Sequence, residues 1–236
     1  MSAVEITKAA PVREAKKKSD FSPYVDNGGS VAGYGGDGFC IAAADTRLNL
    51  GYSIPSREVA KLHQLTSKCV LAASGMCADI TALVKKLEID LTWYKHNHGK
   101  EMSTTALAQY LSNTLYYKRF FPYYAFCLLV GIDEEGKGCC FEYDAVGSYQ
   151  RLPYGSSGSA KVLIQPFLDS QLNRQHQQIK TEPEGSAVPL EDAKALLREA
   201  MSAGSERDIH TGDWLDFWVI HANGTIDKER FPLKFD

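Results

Sequence analysis

Apolar positions along this chain fall into two alternating regimes. Residues 30 to 35, "GFCIAAAD" (38 to 45) and "CVLAAS" (69 to 74) are short, nearly continuous apolar runs bounded by Gly, Asp and Asn, with a Gly51-centred turn between the last two. Such runs predict strands buried on both faces. From Ile80 the period changes: Ile80, Leu83, Val84, Leu87, Leu91 and Tyr94 recur at helical spacing, and a second stripe follows at Leu107, Tyr110, Leu111, Thr114 and Leu115. Ser103 is placed to cap that second helix, and the two helices together predict cover for one sheet face.

Strands return with "YYAFCLLVGID" (123 to 133), a turn at "EEGKG", and the hairpin "CCFEYDAVGSYQR". A third helix is predicted from Ala160, Leu163, Ile164, Phe167 and Leu168, bent by Pro166. A long loop over 173 to 189 precedes a fourth helix, about 190 to 205, with Ala193, Leu196, Leu197, Ala200 and Met201 on one face. "WLDFWVIHANGTIDKERF" closes the chain as a strand, an Asn-Gly turn and a strand. Strands, two helices, strands, two helices, strands: the order predicts an α+β fold, a four-layer helix/sheet/sheet/helix sandwich of two antiparallel sheets.

Composition narrows the function classes. At 236 residues with 44% hydrophobic and 23% charged positions, the chain has the make-up of an ordinary globular protein. A net charge of −3 gives no electrostatic reason for a nucleic-acid or membrane partner. The absence of a long apolar run or a signal-like start predicts the cytoplasm and nucleus. Residues 1 to 20 lack periodicity and carry "AKKKS", which predicts a disordered or cleavable leader ahead of one domain over 21 to 236. The six cysteines sit mostly in apolar runs and read as reduced, buried thiols. No metal is assigned, and no cofactor is expected.

The polar residues at strand ends are individually unremarkable. Asp45 and Arg47 follow a buried run, Lys61 follows a turn, and Asp208 and Thr211 follow the fourth helix; each alone suits a surface or ion-pair role. Ser156, Ser157 and Ser159 would most simply cap the third helix. As a set they mean more. "AADTR", a lysine, "SG" in a strand, "SGS" opening a helix and "RDIHTG" after a later one resemble the proteasome β-subunit family over residues 21 to 236. "FSPYVDNGGS", "KRFFPYY", "GIDEEGKG", "DAVGSYQR" and "SERDIHTGD" strengthen that resemblance. Phe21, Ser22 and Pro23 also suit the α-type subunits, but here they run straight into Gly-Gly and a strand rather than a helix.

The resemblance implies the N-terminal nucleophile hydrolase fold and a set of roles. In active members a threonine freed by cleavage after glycine attacks the peptide carbonyl, with its own α-amine as base. Lys61 and Asp45 match the residues that tune it, with Arg47 supporting them. Gly75 matches the backbone oxyanion donor, and Ser157, Asp208 and Thr211 complete the surroundings. The threonine would stand sixteen residues before Asp45, where this chain has Gly29. Ser30 is one place late, and one place along a strand reverses the facing side, so Ser30 Oγ is expected to point away from Lys61. The resemblance therefore implies a non-catalytic component of a threonine-type endopeptidase complex. Its partners would be other β subunits in a seven-membered ring, the α ring, the opposite β ring and unfolded substrates degraded in the ATP- and ubiquitin-dependent route. Asp133 matches a strand-end acid facing the neighbouring subunit's substrate pocket, with Glu134 beside it. The alternative is an active peptidase processed at Gly29/Ser30.

Overall fold

The computed structural model of the chain describes residues 21–173 and 188–236. The expected leader and all but the ends of the expected 173 to 189 loop lie outside those residues. Strands β1 (Ser30–Gly35) and β2 (Phe39–Asp45) are followed by a hairpin, β3 (Leu48–Leu50) and β4 (Ser53–Ser56), and by β5 (Leu62–Thr66) and β6 (Cys69–Gly75). Helices α1 (Cys77–His98) and α2 (Thr104–Tyr116) precede β7 (Ala125–Ile132), β8 (Gly138–Tyr143), β9 (Tyr149–Leu152) and β10 (Tyr154–Gly158). Helix α3 (Lys161–Leu168) continues into a π-helical turn, Asp169–Asn173. The chain then forms α4 (Leu190–Ser205), β11 (Trp214–His221) and β12 (Ile226–Pro232).

Two five-stranded sheets result, ordered β10-β1-β2-β11-β12 and β5-β6-β7-β8-β9, with every pairing antiparallel. A strand's side chains alternate between faces, and the buried residues sort accordingly. On β6, Cys69, Leu71 and Ala73 pack with Leu83, Leu87, Leu107 and Leu111 of α1 and α2, whereas Val70 and Ala72 meet Val31, Cys40, Ala42, Leu128 and Val130 from both sheets. On β2, Ile41 and Ala43 turn toward Ile164, Leu197 and Met201 of α3 and α4. Each central strand is thus covered on both sides, which is why its sequence is apolar without a break. β9 and β10 belong to different sheets and are joined by Pro153 alone.

Helix ends depart from the sequence expectation at one place. Ser103 Oγ accepts from the Ala106 amide at 3.4 Å and caps α2 as expected. The serines of "YGSSGSA" do not cap α3. Residues 154–158 are drawn out as β10 against β1, which sends the Ser156 hydroxyl to Gln165 Oε1 and leaves Ser159 to bond Asp208. Among the described residues no side chain caps α3; the amide of Ala160, the residue before its first turn, instead donates across the sheet to Ser30 Oγ at 2.8 Å. Pairing with β1 has overridden the local Ser/Gly preference for a turn.

Candidate functional site

The site grows from the C-terminal end of β2. Asp45 is wholly buried there, and its carboxylate collects donors from four segments. Oδ1 accepts from Lys61 Nζ at 2.6 Å and the Ser30 amide at 2.8 Å; Oδ2 accepts from the Arg47 and Gly212 amides, each at 3.2 Å. Lys61 Nζ also donates to the Arg47 carbonyl at 2.7 Å. A buried ion pair is tolerable only with such additional hydrogen bonds, since desolvation otherwise exceeds the Coulomb attraction.

Gly29 faces this pair. A β-carbon at residue 29 would overlap the Lys61 ammonium, come within 2.6 Å of Lys61 Cε and stand 3.1 Å from Asp45 Oδ1. Both Gly28 (φ +65°) and Gly29 (φ +89°) adopt the left-handed region, with the Gly28 amide held by Asp26 Oδ1 at 2.8 Å. Only glycine enters that region without steric cost. The lysine therefore fills the volume that a side chain at 29 would need.

Gly75 lies beside it (φ +117°), and its amide points to the Gly28 carbonyl at 3.4 Å. The segment before Gly29 is anchored by Asn27: its amide donates to the Gly75 carbonyl at 3.1 Å, its Oδ1 accepts from the Cys77 amide at 2.9 Å, and its Nδ2 donates to the Asn49 carbonyl at 2.9 Å. The Asn49 amide returns a bond to the Asn27 carbonyl at 3.1 Å. The chain's own residues 27 and 28 thus lie between β3 and the end of β6, over the amide matched to the oxyanion donor. No sequence signal marks this, because it depends on where two distant strands end.

Ser30 is fully buried on the other side. Thr211 Oγ1 donates to Asp208 Oδ2 at 2.6 Å, so the 2.8 Å contact between Ser30 Oγ and Thr211 Oγ1 must carry the serine's single proton. With the Ala160 amide on its lone pair, the Ser30 hydroxyl is committed, and Lys61 is not among its partners. Asp208 also accepts from Ser159 Oγ at 2.5 Å, and the Ser159 amide donates to the Gly29 carbonyl at 3.0 Å. It is Ser159 that joins Asp208 and Thr211, while Ser157 lines the adjoining cleft.

Arg47 is turned away from Gly29. Its Nε and Nη2 grip Asp213 at 2.9 and 3.3 Å, and its remaining donors reach the Ile209 and Lys234 carbonyls, both at 3.0 Å. Arg57 adds a second cation to Asp213. Asp213, absent from the sequence candidates, is wholly buried and the one described non-glycine residue at positive φ (+70°). Asp133 belongs to another place altogether. β7 meets Gly75 at its Ala125 end, and Asp133 follows the opposite end. There its Oδ1 accepts from the Glu135 and Lys137 amides at 2.9 Å and its Oδ2 from Arg151 Nη2 at 2.5 Å. Burial would raise this carboxyl's pKa, but Arg151 and the two amides outweigh it and hold it below the usual carboxylate value.

Two hollows flank Gly28 and Gly75. One is an open cleft of about 730 Å³ that reaches Glu142, Tyr149 and Lys161; the other, about 70 Å³, is lined by Lys61, His63, Ser74 and Cys77. Among the described residues no group of three or more His, Cys, Asp or Glu side chains gathers as a metal site would require. The centre thus has a lysine, a carboxylate and a hydroxyl network arranged around a residue with no side chain.

Residues 25–220 match the family described as "Proteasome subunit". A "Proteasome subunit beta type-1" of Arabidopsis thaliana is 48% identical over 223 residues, covering 94% of this chain and 99% of that protein. One from Dictyostelium discoideum is 49% identical over 218 residues, covering 92% and 91%. A "Probable proteasome subunit beta type-6" of Schizosaccharomyces pombe is 39% identical over 224 residues, covering 93% and 99%. With that coverage, and with Asp45 and Lys61 against residue 29 and Gly75 against residue 28, the chain belongs to the proteasome subunit family and is similar, along nearly its whole length, to its β type-1 members.

Proposed function

We propose that this chain is a non-catalytic β subunit of the 20S core particle. It stands in a seven-membered β ring between an α ring and the opposite β ring, in the cytoplasm and nucleus. It walls the chamber where unfolded proteins are degraded in the ATP- and ubiquitin-dependent route. The observation that carries this reading is Gly29, with the Lys61 ammonium in the place of its missing side chain. The three apolar clusters support the four-layer sandwich of the N-terminal nucleophile hydrolases as its scaffold. Tyr117 and Phe120, 88% and 97% exposed after α2, supply aromatic area suited to contacts between subunits. The turn that Asp133 organises is the part offered to the neighbouring chymotrypsin-like site, with Asp133 setting its shape and Glu134 at its tip.

The test is covalent labelling of the assembled particle with an inhibitor directed at N-terminal threonines, followed by mass spectrometry of this chain. The expected result is labelling of other β subunits and none here, with the mature chain beginning upstream of Gly29. An adduct on residue 29 or 30, or a mature chain that starts at Ser30, overturns the reading and restores the processed peptidase.

A further inference from the structure

The cleft beside Gly29 does not end there. Glu142, Gln150 and Lys161 line both it and a second hollow of about 320 Å³ that extends past Tyr154 to Asp169, so the two form one groove. Both β9 and β10 contribute to its walls, and each is the outermost strand of its sheet. An outermost strand carries a row of backbone N–H and C=O groups without a ladder partner, which is a template for an added extended chain.

The groove's charge is one-sided. Where the two hollows join, Lys161 and Glu142 pair with each other. The other carboxylates are bonded by neutral donors alone among the described residues. Asp26 accepts from the Gly28 amide, Asp144 from the Val146 and Ser148 amides, and Asp169 from the Tyr154 hydroxyl and the Gln165 amide group. No Lys or Arg among the described residues is paired with any of the three. A further unmet demand lies in the cleft lining: Ser74, 1% exposed, has a hydroxyl with no hydrogen-bond partner.

We propose that this groove holds an extended segment of unfolded polypeptide carrying lysine or arginine. The segment adds to the free edge of β10 and sets its cations beside Asp26 and Asp144 in the cleft and beside Asp169 in the second hollow. A cleft of about 730 Å³ is in the size range of ligand sites. With no side chain at residue 29, a segment lodged here is retained uncut. The inference rests on the reading of this chain as part of the chamber wall.

The test uses assembled particles whose threonine sites are covalently blocked, so that no other subunit turns over the probe. They are irradiated with a short peptide of alternating serine and lysine that carries a benzophenone, or with its serine and glutamate counterpart. The expected result is photoadducts of the lysine peptide on residues 149 to 159 of this chain, several-fold above those of the glutamate peptide. Glu142→Gln, which unpairs Lys161, lowers the yield, and Lys161→Met, which frees Glu142, raises it, each by roughly two- to fivefold as expected for exposed charge pairs. Equal labelling by the two peptides, or a yield indifferent to both variants in particles of normal sedimentation, overturns the inference and leaves the assembly reading standing. Particles assembled without this chain overturn both.

Discussion

The Lys61 ammonium occupies the volume into which a β-carbon on Gly29 would project, and it is fixed there by Asp45 Oδ1 at 2.6 Å and the Arg47 carbonyl at 2.7 Å. Restoring a nucleophile is therefore not a matter of one substitution. Gly29→Thr meets a left-handed backbone, worth roughly 1–2 kcal/mol against a β-branched residue, and must also push the lysine off both partners. The expected outcome is a lower denaturation midpoint and no peptidase activity. Gly29→Thr with Lys61→Ala makes room at residue 29 but leaves Asp45 buried without its cation, so its midpoint falls further and it remains inactive, as fluorogenic peptide assays on the particle would read.

Asp213 predicts the largest single-site loss. Its carboxylate is the buried counter-ion of Arg47, whose side chain is 3% exposed. Removing one partner of such a pair leaves the other charged and dry, at about 3–5 kcal/mol. Asp213→Ala should shift the chemical denaturation midpoint by that order. Asp213→Asn, which tolerates positive φ and keeps part of the bonding, should fall between it and the native chain.

His63 gives the pH dependence. Burial disfavours its charged form and lowers its pKa below 6.5, with Glu88 opposing only in part, and its Nε2 is buried without a partner. The folded state thus binds its proton more weakly than the unfolded state. Stability is full above about pH 6.5 and is lost as pH falls from there toward the folded value. Thermal midpoints of the purified chain between pH 7.5 and 5.5 should decline, and His63→Gln should flatten that decline.

The elements that local pattern reveals are those whose neighbours in space are also regular in sequence. The stripe Ile80, Leu83, Val84, Leu87, Leu91 became the buried face of α1, and the unbroken runs of β2 and β6 became strands covered on both faces. β5, "LHQLT", and β10, "YGSSG", escaped notice because their polar or small residues are extended only by pairing with β6 and β1. The same distinction holds at the site. Of the residues that the family resemblance singled out, Asp45, Lys61, Asp208 and Thr211 lie around residue 29 or its neighbour Ser30, and Gly75 bonds residues 27 and 28. Asp213, Ser159 and Asn27 act through partners 166, 49 and 50 positions away, a relation no window along the chain can register.

Pro153 carries a mechanical consequence. As the single residue between β9 and β10, it ties the two sheets at one corner by a span of roughly 7 Å at full extension, and its ring stiffens that link. That tie acts in addition to the apolar layer packed between the sheets and fixes how far apart the two edges can stand at that corner. The hollow beside Pro153 thereby lies at the tied end of the groove, and Gly29 lies at the end that no such link closes.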